Sequence, residues 1–184
     1  MKIAIGITTA GLIKSQTAFS LLNMLKGFDY EAIFKEGPNQ PLNREVIAET
    51  AIQKGCSHLL FVDSDMCFGS DALSILLSRG KDIIGVNYHL RQFPLVTTVK
   101  TSFETTMKDY PDNVIKCDAV ATGFLLIKTA VFEKLTKPWF HVEANKDGTL
   151  EGHDYRFCRK AREAGYDIWC DLNIVMKHIG DFLY

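Results

Sequence analysis

The sequence predicts an α/β protein with a mostly parallel central sheet flanked by helices. Short apolar runs of strand length alternate with segments of helical periodicity, which is the pattern of consecutive βαβ units. The run at residues 58–62 is apolar throughout after its histidine, as expected for a central strand that helices cover on both faces. Since 184 residues fit one compact core, a single domain over residues 1–184 is expected.

In the first half of the chain, strands and helices are predicted to alternate. The predicted strands are residues 2–8, 32–35, 58–62 and 82–86, and the predicted helices are residues 15–26, 42–54 and 70–79. The spacing of Phe19, Leu22 and Leu25 predicts the apolar face of the first helix. Ser70 is the expected N-cap of the third helix.

The second half of the chain contains less regular patterns. The predicted strands are residues 95–99, 116–120, 124–127, 166–169 and 174–176, and the predicted helices are residues 129–135 and 154–164. Residues 104–113 and 141–153 are polar and lack periodicity. Loops of that length either cover a ligand or are plain surface segments, and the sequence leaves both open.

Composition argues against several classes of protein. The formal net charge of -1 does not favour binding to nucleic acid or to a membrane surface. No apolar stretch approaches the roughly 18 residues of a membrane helix, and the first apolar run is too short for a signal peptide. The five cysteines form no C-x-x-C pair, so we expect free thiols and a cytoplasmic location rather than zinc or disulfides.

Two carboxylates follow the apolar run 58–62 directly, in the motif Asp63-Ser64-Asp65. Open α/β sheets place their ligand crevice at the carboxyl ends of the strands, and carboxylate oxygens suit Mg²⁺ or Mn²⁺. Alternatively, the two aspartates only stabilise the turn. His178 would supply an imidazole to the same ion if its strand ended beside Asp65, although it would otherwise be a structural histidine.

Asp154 opens the predicted helix 154–164. It is either the N-cap of that helix or a general base, and the two roles can coexist. The helix N-terminus favours the ionised form that a base requires.

Other candidates surround these positions. Gly123 precedes the run 124–127, where a glycine either lets a ligand approach the backbone closely or eases the start of a strand. Tyr88, His89 and Arg91 follow a predicted strand and would contact phosphate groups or a second substrate, or else be solvated. Three large aromatic residues are predicted to pack in the core rather than to stack on a ligand: Trp139, Phe140 and Trp169.

Taken in order, these segments resemble the GT-A-fold glycosyltransferases, close to the small bacterial and viral members that use nucleotide-diphospho-sugars. The resemblance covers almost the whole chain and implies a GT-A-like, Rossmann-related fold. The matching segments are Leu42-Asn43-Arg44, Leu59 to Met66 around the Asp-Ser-Asp motif, residues 83–88, residues 121–127, residues 153–161 and His178-Ile179-Gly180.

The resemblance also implies roles for individual residues. Asp63 would contact the nucleotide side of the donor and lie at the cation. Asp65 and His178 would bind the Mn²⁺ or Mg²⁺ ion on the donor diphosphate. Arg44 and Thr8 would lie near the nucleotide.

The base assignment stays open. Asp154 matches the aspartate that is the catalytic base in inverting members of the family. The acidic residue that precedes it there is replaced here by His153, with Glu151 two positions earlier. Either Asp154 or Glu151 can therefore be the base. Glu151, His153, Gly123 and Tyr88 are expected near the acceptor.

The expected function is a hexosyltransferase that moves a sugar from a nucleotide-diphospho-sugar to a hydroxyl of a carbohydrate or other acceptor. A sugar-phosphate nucleotidyltransferase is the second hypothesis, although residues 8–12 match its glycine-rich basic loop poorly. A catalytically inactive nucleotide- or carbohydrate-binding module is the third. The sequence contains no G-x-G-x-x-G motif and no Walker loop, which argues against dinucleotide oxidoreductases and P-loop enzymes.

Overall fold

The computed structural model describes residues 1–102, 112–145 and 147–180. Its helices are α1 (Ser15–Met24), α2 (Gln40–Gln53), α3 (Ala72–Ser78), α4 (Ala130–Lys134) and α5 (His153–Glu163). Its strands are β1 (Lys2–Thr9), β2 (Asp29–Glu36), β3 (His58–Asp63), β4 (Met66–Phe68), β5 (Ile83–Val86), β6 (Val114–Cys117), β7 (Phe124–Lys128), β8 (Glu143–Ala144), β9 (Leu150–Glu151), β10 (Ile168–Asp171) and β11 (Met176–His178).

Seven of the described strands form the main sheet, in the order β2-β1-β3-β7-β5-β10-β6. Strands β1, β2, β3, β5 and β10 run in one direction, whereas β7 and the edge strand β6 run in the other. The predicted mostly parallel α/β sheet is therefore confirmed. Because β1, β3 and β5 share a direction, their carboxyl ends lie along one edge of the sheet, together with the start of β7.

Helices cover the sheet on both faces. Successive residues of β3 point to opposite faces, so Leu59 and Phe61 belong to the buried cluster that includes α2, α4 and α5. Leu60 and Val62 belong to the cluster that includes α1 and α3. All four side chains are fully buried, which explains why this strand is apolar throughout and confirms its predicted central position.

A small two-stranded ribbon joins the C-terminal part of the chain to the end of β3. Strand β4 pairs antiparallel with β11, and His178 lies opposite Met66. The backbone N–H of Ile179 donates to the carbonyl oxygen of Asp65 at 2.8 Å. The last predicted strand, at residues 174–176, is therefore displaced to residues 176–178, and β4 was not predicted.

Three local predictions were wrong. Residues 95–99 form no strand, because β5 already has β7 and β10 as neighbours and this segment makes only an isolated bridge between His89 and Thr97. Phe19 and Leu22 are 70% exposed, since α1 buries a stripe that includes the polar Thr17 and Ser20. Helix α3 begins at Ala72 with Asp71 rather than Ser70 at its N-cap position.

Several other expectations can be compared with the structure. The polar stretch 141–153 contains the hairpin β8–β9, whereas residues 104–113 lie almost entirely outside the described residues. All five cysteines are free, and Cys158 and Cys170 are fully buried. Trp139 and Phe140 lie in the core as predicted, and the half-buried Trp169 packs beneath Lys81.

In the part of the chain that the structure describes, no helix has the length and apolar character needed to cross a membrane.

Candidate active site

A cleft of about 590 Å³ opens at the edge of the sheet where β1, β3 and β5 end. It collects side chains that lie far apart in the sequence. Most of the predicted site residues line it: Thr8, Arg44, Asp63, Asp65, Tyr88, His153, Asp154 and His178. The same cleft is lined by residues to which the sequence analysis gave no role, among them Lys14, Gln40 and Thr122. Gln40 precedes Arg44 by one turn of α2, so helical spacing is the signal that could have identified it.

Strand pairing positions the first members of the site. In the register of β1 and β3, Thr8 lies opposite Asp63. The backbone N–H of Asp63 donates to the carbonyl oxygen of Gly123 at 3.0 Å, just before β7 begins. Thr8 on β1, Asp63 on β3 and Gly123 just before β7 therefore lie side by side, and Asp65 follows on the turn that leaves β3.

Asp65 and His178 are brought together by the β4–β11 ribbon. The Nε2 atom of His178 lies 3.3 Å from Oδ1 of Asp65. The Nδ1 atom of His178 lies 3.1 Å from the carbonyl oxygen of His89, which can only accept a hydrogen bond. The Nδ1 atom therefore carries a proton, and this bond orients Nε2 toward Asp65, as carbonyl partners orient metal-binding histidines.

Charges around Asp65 stabilise its ionised form. Burial raises the pKa of Asp65. The hydrogen bond with His178, the charge of His178 and the charge of Arg91 together outweigh burial and hold the pKa of Asp65 below its usual range. Conversely, the hydrogen bond to Asp65 is the largest cause that raises the pKa of His178. The Nη1 atom of Arg91 lies 3.0 Å from Oδ2 of Asp65, so Arg91 and His178 contact opposite oxygens of the carboxylate.

The donor set suits a cation that is shared with a substrate. Among the described residues, no group of three or more His, Cys, Asp or Glu side chains is arranged to hold a metal ion. Asp63 directs Oδ1 to Arg44 at 2.6 Å instead of to the Asp65–His178 pair. One carboxylate and one imidazole fit an ion that takes its remaining ligands from water and phosphate oxygens, as Mg²⁺ commonly does.

A buried arginine connects three elements beneath the cleft. Arg44 on α2 is only 3% exposed, and its Nη2 atom donates to Oδ1 of Asp63 on β3. Its Nε atom lies 3.0 Å from Nε2 of His153 on α5. Because a guanidinium can only donate, His153 accepts and is therefore neutral. Burial, followed by the charge of Arg44, lowers the pKa of His153 in agreement with that form.

His153 is expected to make the protein less stable in weak acid. Because its pKa is lowered in the folded state from an ordinary 6.5, the unfolded chain takes up the proton first as the pH falls below about 6.5. The free energy of unfolding should then decrease, and His153→Gln should remove this part of the decrease while keeping an acceptor for Arg44. Urea unfolding of both proteins between about pH 7 and pH 5 checks this. Equal pH dependence in the two proteins would contradict it.

Tyr88 lines the cleft and makes a close contact with Gly123, which is buried and does not itself line the cleft. The N–H of Gly123 donates to the hydroxyl oxygen of Tyr88 at 3.0 Å. A Cβ atom at position 123 would overlap that hydroxyl and lie 2.7 Å from Cζ of Tyr88. Burial, followed by the charge of Asp63, raises the pKa of Tyr88 well above its usual range, so the hydroxyl stays protonated. The glycine is therefore required by the tyrosine that packs over it.

Gly123→Ala is expected to lower the free energy of unfolding by about 1–3 kcal/mol, because the added methyl group forces Tyr88 or β7 to move. Gly180→Ala is the matched control. The nearest atom to a Cβ at position 180 is 3.6 Å away, which is an ordinary contact, so that change should stay within about 0.5 kcal/mol. Denaturant unfolding of both variants provides the measurement, and equal effects would show that the contact between Gly123 and Tyr88 is not tight.

The two acidic candidates for a base lie in different environments. Asp154 lines the cleft from the first turn of α5, and Gly152 holds the N-cap position, so the alternative in which Asp154 is the N-cap does not apply. The helix simply begins one residue earlier than expected. Glu151 forms an ion pair with Arg159 at 2.7 Å and lines a separate cleft of about 440 Å³ beside Tyr155.

Comparisons with known proteins give structural matches only. No model of a protein family and no curated protein matches the sequence. The solved structure of A197 from STIV matches with a TM-score of 0.70 at 16% identity, over 98% of this chain and 87% of that one. GalNAc-T7, solved with UDP, GalNAc and Mn²⁺, matches with a TM-score of 0.63 at 11% identity, over 99% of this chain. TarS residues 1–349 of S. aureus, solved with UDP-GlcNAc, match with a TM-score of 0.56 at 12% identity, over the whole chain.

These matches define the class of fold. The chain has the GT-A-like α/β fold, as the resemblance in its sequence implied. It spans 60% of the TarS chain and 44% of the GalNAc-T7 chain, so those proteins contain further regions that this sequence does not match. At identities of 11% to 16% the likeness is one of fold, and the activity has to be argued from the cleft.

Proposed function

We propose that this chain is a metal-dependent glycosyltransferase that moves a hexosyl group from a nucleotide-diphospho-sugar to an acceptor hydroxyl. The observation that supports this most is the composition of one cleft. It is lined both by the Asp65–His178 pair, which suits a cation on a diphosphate, and by Asp154, which suits a general base. Each group alone has a structural explanation, but the proposed reaction uses both together.

The donor would lie along the carboxyl ends of β1 and β3. We assign Thr8, Arg44 and Asp63 to the nucleotide side, where Arg44 is held by two hydrogen bonds. The diphosphate would lie toward Asp65 and His178. GalNAc-T7 was solved with UDP and Mn²⁺, and TarS with UDP-GlcNAc, so UDP-sugars with Mn²⁺ are the first donors to test.

Asp65 and His178 would hold the Mn²⁺ or Mg²⁺ ion. The bond from Nδ1 of His178 to His89 leaves Nε2 facing Asp65, which is the orientation that a ligand needs. When bound, the cation would offset the charge that develops on the departing diphosphate. Asp63 would contribute mainly through Arg44, because one of its oxygens is already engaged there.

Asp154 is our candidate for the base. It would accept the proton of the acceptor hydroxyl while the acceptor oxygen bonds to the anomeric carbon of the sugar. The bond from that carbon to the diphosphate oxygen breaks, and its electron pair leaves with the nucleoside diphosphate. A single displacement of this kind inverts the configuration. The ion pair between Glu151 and Arg159, in another cleft, supports Asp154 over Glu151.

The acceptor side is proposed to include His153, Tyr88 and Gly123. The Tyr88 hydroxyl keeps its proton and accepts from Gly123, so it can donate to a sugar oxygen. We take the acceptor to be a carbohydrate or another hydroxyl compound and not a nucleic acid, in keeping with the formal net charge of -1. The five free thiols support a reducing, cytoplasmic setting as part of the proposal.

A product assay tests the proposal against its two competitors. The purified protein is incubated with a panel of UDP-sugars and Mn²⁺, with and without simple sugars as acceptors. Release of UDP that requires Mn²⁺ is the expected result. Pyrophosphate formed from a sugar phosphate and a nucleoside triphosphate would instead identify a nucleotidyltransferase. Tight binding of a nucleotide-sugar without either product would identify a binding module.

A further inference from the structure

Arg91 forms an ion pair with the carboxylate of Asp65, which is also the proposed ligand of the cation. Its Nη1 atom lies 3.0 Å from Oδ2 of Asp65, on the opposite oxygen from His178. A divalent cation bound to Asp65 would therefore lie close to the positive charge of the Arg91 guanidinium. Because like charges repel strongly at such distances, the guanidinium and the cation compete for Asp65.

The loop that carries Arg91 is anchored at its base and open at its tip. The N–H of Thr98 donates to the carbonyl oxygen of Tyr88 at 3.0 Å, and the N–H of Leu90 donates to that of Val96 at 2.9 Å. Beyond these bonds, the side chain of Arg91 is 53% exposed. The aliphatic part of the Arg91 side chain passes close to Gly180. A Cβ atom placed on Gly180 would lie 3.6 Å from Cδ of Arg91, which is an ordinary van der Waals distance. The guanidinium can therefore leave Asp65 by rotation of its side chain.

Arg91 has space to move without leaving the proposed diphosphate site. It lines both the active-site cleft and an adjoining groove of about 610 Å³ formed by residues 89–95 and β11. His178 borders both spaces as well. A short displacement of the guanidinium would thus keep it beside the position of the phosphates.

We propose that Arg91 and the divalent cation exchange at Asp65 when the donor binds. In the free protein, Arg91 neutralises Asp65. When the cation and the diphosphate arrive, Arg91 leaves the carboxylate and donates hydrogen bonds to the phosphate oxygens, for which a guanidinium has the matching fork geometry. The inference rests on the proposed function, because it places a diphosphate in this cleft.

The exchange makes cation and diphosphate binding interdependent. A cation alone must displace Arg91 without giving it another anion, so it binds weakly. With a diphosphate present, the displaced guanidinium gains a new partner, so each ligand strengthens the binding of the other by the same factor. Arg91 is in this account both the competitor of the cation and a ligand of the phosphate.

Three variants test the exchange. Arg91→Ala removes the competitor and the phosphate ligand together, and Arg91→Lys keeps a positive charge. Arg162→Ala is the matched control, because Arg162 pairs with Asp118 at the same distance of 3.0 Å with similar exposure, away from the cleft. Binding of Mn²⁺ alone is measured by electron paramagnetic resonance. Binding of inorganic pyrophosphate in the presence of saturating Mn²⁺ is measured by calorimetry.

The two measurements are expected to change in opposite directions. Arg91→Ala should bind Mn²⁺ alone about two- to five-fold more tightly than the unmodified protein, the range expected for loss of one partly exposed ion pair. It should bind pyrophosphate about 10- to 100-fold more weakly, as expected for loss of charged hydrogen bonds. Arg91→Lys should recover part of the pyrophosphate affinity, and Arg162→Ala should change neither.

Other results would overturn the exchange. Unchanged or weaker Mn²⁺ binding in Arg91→Ala would show that Arg91 does not compete at Asp65. Unchanged pyrophosphate binding, or none in the unmodified protein, would show that Arg91 does not take the phosphates. Both affinities can be measured even if the protein is not a transferase, because pyrophosphate contains no base or sugar. Tighter Mn²⁺ binding and weaker pyrophosphate binding in Arg91→Ala, without any release of UDP by the unmodified protein, would support the exchange and reject the transferase activity.

Discussion

Asp65→Ala is expected to abolish the cation-dependent binding of UDP while leaving the protein folded. The Asp65 carboxylate lies on the turn after β3 and is mostly buried. His178 and Arg91 stabilise its ionised form. Without it, only His178 would remain to hold the cation, and the diphosphate would lose its counter-charge. Changes to groups that merely orient a metal ligand cost about 10- to 100-fold in affinity, so removal of a ligand should cost about 100-fold or more.

Calorimetric titration of UDP in the presence of Mn²⁺ provides the measurement for Asp65→Ala. Asp118→Ala is the matched control, because Asp118 also pairs with an arginine at 3.0 Å and is similarly buried, but lies outside the cleft. A melting curve of each variant shows that the fold is kept. Unchanged UDP affinity in Asp65→Ala would reject the cation site.

His178→Ala should also weaken the binding of UDP in the presence of Mn²⁺. A structure with UDP and metal should place Nε2 of His178 within about 2.5 Å of the ion.

Asp154→Asn is expected to reduce turnover by about 10²- to 10⁴-fold with donor affinity largely kept. Asp154 lies in the first turn of α5 and lines the cleft. Asparagine keeps the size and the acceptor that the N–H of Tyr155 contacts at 2.9 Å, but it cannot take a proton from the acceptor. Steady-state rates with an identified donor and acceptor give kcat, and the UDP titration gives donor affinity.

Glu151→Gln is the control for that experiment. Because Glu151 is paired with Arg159 and lines a different cleft, its loss should change turnover much less. Melting temperatures of both variants separate effects on stability from effects on catalysis. Turnover close to that of the unmodified protein in Asp154→Asn would reject Asp154 as the base, and a large loss in Glu151→Gln alone would transfer the role to Glu151.

The sequence predicted the sheet well where burial decides the pattern. Strand β3 is covered on both faces, so its side chains are apolar throughout and its end at Asp63 was evident. Helix α1 was found, but its buried face was not, because Thr17 and Ser20 lie among the buried positions while Phe19 and Leu22 face outward. Periodicity of apolar residues cannot identify a buried face that is partly polar.

The site was predicted as a set of residues but not as a set of contacts. The proximity of Asp65 and His178 depends on the β4–β11 ribbon, whose strands of three residues are too short to produce a pattern. The link from Arg44 to Asp63 and His153 joins residues up to 109 positions apart, which no local pattern encodes. For the same reason, the ion pair of Arg91 with Asp65 was not foreseen.

Metal-dependent binding of a nucleotide-diphospho-sugar can be tested by titrating the unmodified protein with UDP-sugars, with and without Mn²⁺, and measuring its melting temperature. A ligand that binds only the folded protein raises its free energy of unfolding by RT ln(1 + [L]/Kd), about 2.7 kcal/mol when the ligand is present at 100 times its Kd, and the melting temperature rises accordingly. We expect the melting temperature to increase with at least one nucleotide-diphospho-sugar when Mn²⁺ is present, and this increase to be lost when the metal is chelated. The absence of any metal-dependent increase across sugars of all the common nucleotides would contradict it.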